Sequence, residues 1–417
     1  MSQRVAIVGG GVAGLTAGYL LHETQDVTLF EKSDRLGGNA YTYTTDRDET
    51  VDIAVAAFGK AGYPNFYRLL KRLGVQTKWC PTSYMSFHNL DTQTGIYLTP
   101  SPRGLAAQSF RLLGPRQLNV VRRLFKGVRK GRRMMAEGSL EGLTLGASLD
   151  VLPELSGDSR LLLLGALCLL SSMSAPEVLE SPASFFFHKL DVHSDVVSPR
   201  AVWSVRAIKG FTRAYVEALA APLTDRIKLS SDIVKVRRDA HGVQIIFGDG
   251  SRQSFDSIIL ACPADQAYRL LESPTDVEDQ LLGLWRYKDG RVVLHRDHSS
   301  FPRDELMQAY TYLYTERDGV IETSVNGSLK REPGVPETCD LISSQHPNFP
   351  IAEDKIVLDT VLRTPLFDFN STPIVSDLPQ LNGTQNTYYC GSYFGHGLHE
   401  DAVRSAVQIA ERFDVRL

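Results

Sequence analysis

A glycine-rich turn at the start of the chain constrains its fold more than any other feature. Gly9-Gly10-Gly11-Val12-Ala13-Gly14 follows Arg4-Val5-Ala6-Ile7-Val8, a short, mostly β-branched run bounded by glycines that reads as a buried parallel strand. Gly9 permits the tight turn, Gly11 lets the backbone approach a pyrophosphate, and Gly14 lets the following helix pack close to the strand. Phosphates then sit on a helix N-terminus, where free N–H groups and the helix dipole favour anions. Residues 15–21 continue as an apolar helix and residues 27–30 as a second strand, which Glu31 ends. A carboxylate there meets the hydroxyls of an adenosine ribose. The pattern predicts an α/β chain with a Rossmann-like dinucleotide-binding domain.

The 417 residues, 43% of them hydrophobic, suffice for a large core and about two domains. A net charge of −3 gives no reason to expect nucleic acid. Cys80, Cys168, Cys262, Cys339 and Cys390 are scattered and form no CxxC, which argues against a disulfide framework or a structural zinc site and fits a reducing compartment. Met-Ser-Gln-Arg leads directly into the first strand, so no cleavable secretory signal and a cytoplasmic location are expected. No run approaches the ~20 apolar residues of a membrane span; residues 161–170 read as a buried helix. Residues 111–133 hold nine Arg and Lys and no acidic residue, with apolar positions at near-helical spacing. They read either as a basic amphipathic helix on an anionic membrane surface or as a solvated helix with its apolar stripe on the protein.

Glu31-Lys32-Ser33-Asp34-Arg35-Leu36-Gly37-Gly38 resembles the flavin-containing amine oxidase and phytoene desaturase superfamily. The resemblance implies FAD, with Glu31 and Lys32 at the ribose end, Arg35 near the pyrophosphate, and Gly37 and Gly38 passing close to the flavin. Asn39 stands where many members carry a second arginine. Residues 226–236, followed by residues 241–250, form a meander of strands similar to the family's second flavin-domain segment, which places Ile233 beside the adenine. The C-terminal Thr387-Tyr388-Tyr389-Cys390-Gly391, then residues 395–402 and an amphipathic helix, resembles the segment that closes the flavin site. It assigns flavin contacts to Gly391, Ser392, His399 and the backbone at Glu400, Asp401 and Ala402, with Ser392 in place of the usual acidic residue, while the side chains of Glu400 and Asp401 read as acidic residues of a first helical turn.

A narrower likeness, through Val51-Asp52, Tyr63-Pro64-Asn65, Ala261-Cys262-Pro263 and Gly397-Leu398-His399-Glu400-Asp401, is to bacterial-type FAD oxidoreductases associated with modified fatty acid synthesis. It departs at Ala54 and at Ile208-Lys209, where glycines are usual. The resemblance implies a discontinuous FAD-binding domain over 1–85, 205–285 and 385–417, and an inserted α+β substrate domain over 86–204 and 286–384.

A second GxGxxG is missing, so electrons are expected to come from the substrate rather than from a nicotinamide. The strand around residues 291–295 lacks the lysine that amine oxidases often use near the flavin, Lys288 is only loosely placed, and Tyr393 and Phe394 match the amine-framing aromatic pair poorly. Residues 161–170 and Phe185-Phe186-Phe187 suggest instead a wall for a fatty-acyl or isoprenoid-like substrate. His399 and His396 are the leading acid–base candidates, with His188, His193 and His295 behind them. The expectation is non-covalent FAD and an oxidoreductase that dehydrogenates, desaturates or isomerises a hydrophobic substrate by hydride transfer to flavin N5. The alternatives are an amine oxidase releasing peroxide and a non-catalytic flavin-binding accessory subunit.

Overall fold

The computed structural model describes residues 2–54, 57–80, 85–97, 114–192, 205–239, 242–318, 320–332 and 334–417. Five parallel strands form its first sheet: β1 (Arg4–Val8), β2 (Asp26–Phe30), β3 (Ile227–Lys228), β4 (Ser257–Leu260) and β5 (Thr387–Tyr389), in the order β5-β4-β1-β2-β3. Val5, Ala6 and Ile7 are wholly buried, as expected of a central parallel strand covered on both faces. Helix α1 (Val12–Leu21) starts at the glycine turn and packs on one face of this sheet beside the C-terminal helix. A Cβ on Gly14 would lie 1.9 Å from the Gly9 carbonyl oxygen, so the close crossing of α1 over β1 demands glycine.

The chain passes from the meander into the parallel sheet across a single residue. Phe255 ends a three-stranded antiparallel meander (Ile233–Asp239, Gly242–Phe247, Arg252–Phe255), and β4 begins at Ser257. The break is Asp256, whose carboxylate accepts the Arg4 backbone N–H at 2.7 Å and ties the meander to β1.

A seven-stranded sheet forms the second layer, ordered Ile356–Leu366, Arg286–His295, Ile342–Gln345, Val320–Ser328, Tyr310–Arg317, Met85–Asn89 and Gly95–Tyr97. Its pairings are antiparallel except that Tyr310–Arg317 runs parallel to Met85–Asn89. Helices α2 (Pro115–Ala136), α3 (Asp158–Ser171) and α4 (Ala183–Val192) pack together beside it. Gly165 of α3 faces Phe87 and Tyr312, which stack at 4.6 Å, and a Cβ at Gly165 would fall 2.5 Å from the Phe87 ring. The C-terminal helix α5 (His399–Arg412) lies on α1. Among the described residues no helix is long and apolar enough to cross a membrane, and no cluster could hold a metal ion. The five cysteines are free, and four of them are buried.

Candidate functional site

The C-terminal ends of the parallel strands open into a cavity of about 710 Å³ that runs between the two sheets, the position at which open α/β sheets take their ligands. At its outer end stand Glu31, Ser231 and Ile233. Glu31 is committed in a way the sequence did not show. Its Oε2 accepts the Gly10 N–H at 2.6 Å and its Oε1 accepts the Ser33 N–H at 2.8 Å, so the carboxylate closes the glycine turn while lining the cavity.

The turn itself is built by backbone contact. The Gly37 N–H donates to the Gly10 carbonyl at 2.8 Å, and a Cβ on Gly38 would approach the Gly11 Cα at 3.3 Å. Gly9, Gly37 and Gly38 have φ of +114°, +101° and +58°, values that favour glycine. A Cβ on Gly11, by contrast, would meet nothing within 4 Å of it, so the chain leaves open space over the N-terminus of α1. Gly9, Gly11, Val12, Ala13, Lys32, Arg35, Gly37, Gly38 and Asn39 all line the cavity. Gly14 does not line it and serves the packing of α1 on β1.

Arg35 donates to the Gly38 carbonyl at 2.9 Å and lies 3.6 Å over the Tyr41 ring. Asn39 donates through Nδ2 to the Arg363 carbonyl at 2.8 Å, pinning the glycine pair to the second sheet. Arg363 and Arg269 line the same wall, held by Asp265. These two guanidinium groups, remote in sequence from the turn, are paired with Asp265 and Asp289 and place hydrogen-bond donors beside Asn39. Sequence reasoning missed both, because only the pairing of distant segments brings them there.

At the inner end Gly391, Ser392, Leu398, His399 and Ala402 line the cavity. The Gly391 N–H donates to Ser405 Oγ at 3.0 Å, locking the turn after β5 onto α5. Glu400 and Asp401 are not among the residues that line the cavity, and their side chains serve the fold, as carboxylates of a first helical turn can. The Glu400 carboxylate accepts from the backbone N–H groups of Asn65 and Phe66 and from Asn65 Nδ2 at 2.7 Å, capping the helix Pro64–Arg72, while burial raises its pKa. Asp401 accepts the N–H groups of His396 and Leu398 at 2.8 and 3.0 Å and pairs with Arg404, holding the first turn of α5 in place.

The two leading histidines also differ from expectation. The His396 ring stacks on Phe185 at 5.5 Å and on His188 at 4.8 Å, outside the cavity wall. His399 does line the cavity, but its Nε2 is bonded to the Tyr215 hydroxyl at 2.8 Å and its ring is enclosed by Phe58 and Phe66. Burial pushes its pKa down to about 4, so the imidazole is neutral near pH 7. His295 is buried against Ser344, and His193 lies outside the described residues. Lys288, which pairs with Glu177, is also outside the cavity wall.

The group that sequence reasoning missed here is Lys189 on α4. It is 1% exposed, lines the cavity, donates through Nζ to the His396 carbonyl at 2.8 Å and lies over the Phe185 and Phe367 rings. Burial lowers its pKa to about 7, against a partial restoring pull from Asp401. A lone cation within the apolar run of α4 was the available signal.

The phenylalanine wall is likewise corrected. Phe185, Phe186 and Phe187 are core residues, with Phe185 stacked at 4.3 Å behind Phe367, and Phe367 is the one that faces the cavity. Met85, Leu169, Leu170 and Val205 supply further apolar lining. Tyr393 also lines this end, and its hydroxyl is buried with no hydrogen-bond partner among the described residues. The open cradle over α1, the Glu31 carboxylate, and Lys32 and Arg35 beside the cradle together fit a dinucleotide.

Residues 12–287 match the family model of flavin containing amine oxidoreductases. Flavin-containing amine oxidase A of Canis lupus familiaris is 39% identical over 74 residues, 18% of this chain and 14% of that protein; amine oxidase B of Homo sapiens is 36% identical over 74 residues. The matched stretch thus spans a small part of these curated relatives' length. Among solved structures, the CLA-producing fatty acid isomerase from P. acnes is similar with a TM-score of 0.70 at 15% identity, covering 99% of this chain and 98% of that one. Cyclohexylamine oxidase from Brevibacterium oxydans IH-35A gives 0.68 at 15% identity over 99% and 100%. These structural likenesses speak to the fold. With its family match over residues 12–287 and a site shaped for a dinucleotide, the chain belongs to the flavin-containing amine oxidoreductase family, whose cofactor is FAD.

Proposed function

We propose that this flavoprotein dehydrogenates, desaturates or isomerises a hydrophobic substrate bearing a carboxylate, of the fatty-acyl class. The observation that carries the reading is Lys189, a buried cation in the inner cavity wall among Leu169, Leu170, Val205 and Phe367. An apolar wall favours an alkyl chain at about 25 cal/mol per Å² buried. A lysine whose charge burial disfavours gains most from an anionic partner, whereas a cationic amine beside it meets like charge. The structural similarity to a fatty acid isomerase supports the same class.

FAD supplies the two-electron acceptor when bound. Glu31 and Ile233 would hold its adenosine end, Gly11, Val12, Ala13 and Arg35 its pyrophosphate, and Gly391, Ser392 and Ala402 its ring end. The chain then orients substrate by the apolar wall and excludes water through the buried layer of Phe185 and Tyr393. Lys189 Nζ can hold or take up a proton near neutral pH. His399, neutral and tied to Tyr215, is a fixed part of the wall.

The test is anaerobic incubation of the holoenzyme with unsaturated fatty acids and, separately, with primary and secondary amines. Bleaching of the flavin band, or a shifted double bond in the recovered acid, is expected with the acids and is expected to weaken in Lys189→Met. Bleaching by amines with peroxide release on admitting air, and no change in any acid, would overturn the reading in favour of an amine oxidase.

A further inference from the structure

The exposed face of α2 belongs to no part of the site. Gly127, Val128 and Gly131 turn toward the protein: a Cβ at Gly127 would meet Leu155 at 2.4 Å, and one at Gly131 would meet the Phe187 ring at 2.1 Å. At 100° per residue the opposite face carries Leu118, Arg122, Phe125, Lys126, Arg129 and Arg133, all exposed, with Leu118 at 63% and Phe125 at 40%. No acidic residue occurs within α2. The acidic groups that reach this face come from its edges, Glu154 beside Lys126 and Lys130 and Glu137 beside Arg133. Arg122 and Arg129 make no ion pair among the described residues.

From this geometry we infer that the outer face of α2 docks on an anionic phospholipid bilayer, with Leu118 and Phe125 entering the headgroup–acyl boundary and Arg122, Lys126, Arg129 and Arg133 meeting lipid phosphates. Charge complementarity selects the partner: the chain as a whole carries −3, yet this face is cationic, so it presents one side to a negative surface. Two large apolar side chains held out in water among arginines suit insertion better than a purely ionic contact. The placement is also apt, since α2 packs on α3 and α4, which carry the cavity residues Leu169, Leu170 and Lys189. The inference stands apart from the proposed chemistry, because it requires no substrate and no turnover.

Sedimentation of the full-length holoprotein with phosphatidylcholine vesicles, with or without about one-third phosphatidylserine, tests it. Binding is expected only with phosphatidylserine, and it should weaken as salt is raised. Arg122→Glu with Arg129→Glu should lower partitioning by at least about 25-fold, at roughly fivefold per cation removed and more for the reversed charge, with unchanged Tm and flavin spectrum. Arg122→Lys with Arg129→Lys should retain binding, and Leu118→Ser with Phe125→Ser should weaken it. Wild-type protein that ignores the anionic vesicles, a Glu variant that binds them as well as wild type, or a Lys variant that does not bind would each overturn the inference. A random-sequence DNA duplex that displaces the protein from vesicles would assign the face to nucleic acid and overturn it too.

Discussion

Burial lowers the pKa of both Lys189 and His399, and the different starting points of the two side chains decide what each can do near neutral pH. His399 falls to about 4 and stays neutral, while Lys189 falls to about 7 and is divided between its two forms. The folded-state pKa of Lys189 lies below its unfolded value, so between about 7 and 10.5 the unfolded chain binds the extra proton and stability rises with pH. The penalty for burying this ammonium is therefore full below about pH 7 and fades as the pH approaches 10.5. Lys189→Met should be most stabilised relative to wild type at pH 6, and the gain should shrink by pH 10, as thermal unfolding at the two pH values would show. An unchanging difference would mean that Lys189 is not depressed. Glu31 makes a different prediction, because its carboxylate both closes the glycine turn and faces the cavity. Glu31→Gln loses the charge and turns its amide NH2 toward one of the two backbone N–H groups that the carboxylate accepts, and titration of FAD into apoprotein should show affinity lower by about ten- to hundredfold. At this scale Glu31, Arg35 and the glycines were legible because local spacing alone fixes their places. Lys189, Arg269 and Arg363 were not, since each reaches the cavity only through packing between distant segments.

Among the elements, the turn from β1 into α1 shows two glycines of one motif doing different work. Gly14 has the Gly9 carbonyl where a Cβ would go, while Gly11 faces open space. Gly14→Ala should destabilise the fold by about 1–3 kcal/mol or more, lowering soluble yield and Tm. Gly11→Ala should leave the Tm of FAD-free protein near wild type and reduce FAD retention on gel filtration. Equal behaviour of the two variants would contradict this division. The strand–turn–helix at the C-terminus was legible as an element, yet the roles of its acidic residues were not. The side chains of Glu400 and Asp401 read as ordinary first-turn residues, but the groups they would meet were not legible. Contact with Pro64–Arg72 made Glu400 a cap for a second helix, and the return of the chain at residues 396–398 gave Asp401 its backbone partners. Phe185–Phe187 follow the same logic: a triple aromatic run must be buried, but which side it meets depends on where α2 and Phe367 lie.

For the molecule as a whole, the cavity lies between two sheets that contribute opposite walls, so a ligand filling it touches both. Stripping FAD should lower the Tm, and restoring it at a thousandfold excess over its dissociation constant should return about 4 kcal/mol of stability. Differential scanning calorimetry of apo- and holoprotein measures this, and identical transitions would show that FAD does not select the folded state. The sequence by itself determined the parallel sheet, the dinucleotide turn and the family, because these rest on periodicity and on glycines whose backbone demands are local. Tertiary structure decided which cations face the cavity, which histidine is neutral, and which aromatics line the wall rather than fill the core. Those outcomes depend on desolvation and on close packing between segments far apart in the chain, and a side chain's neighbours across such a contact are set by the fold and not by its position in the sequence.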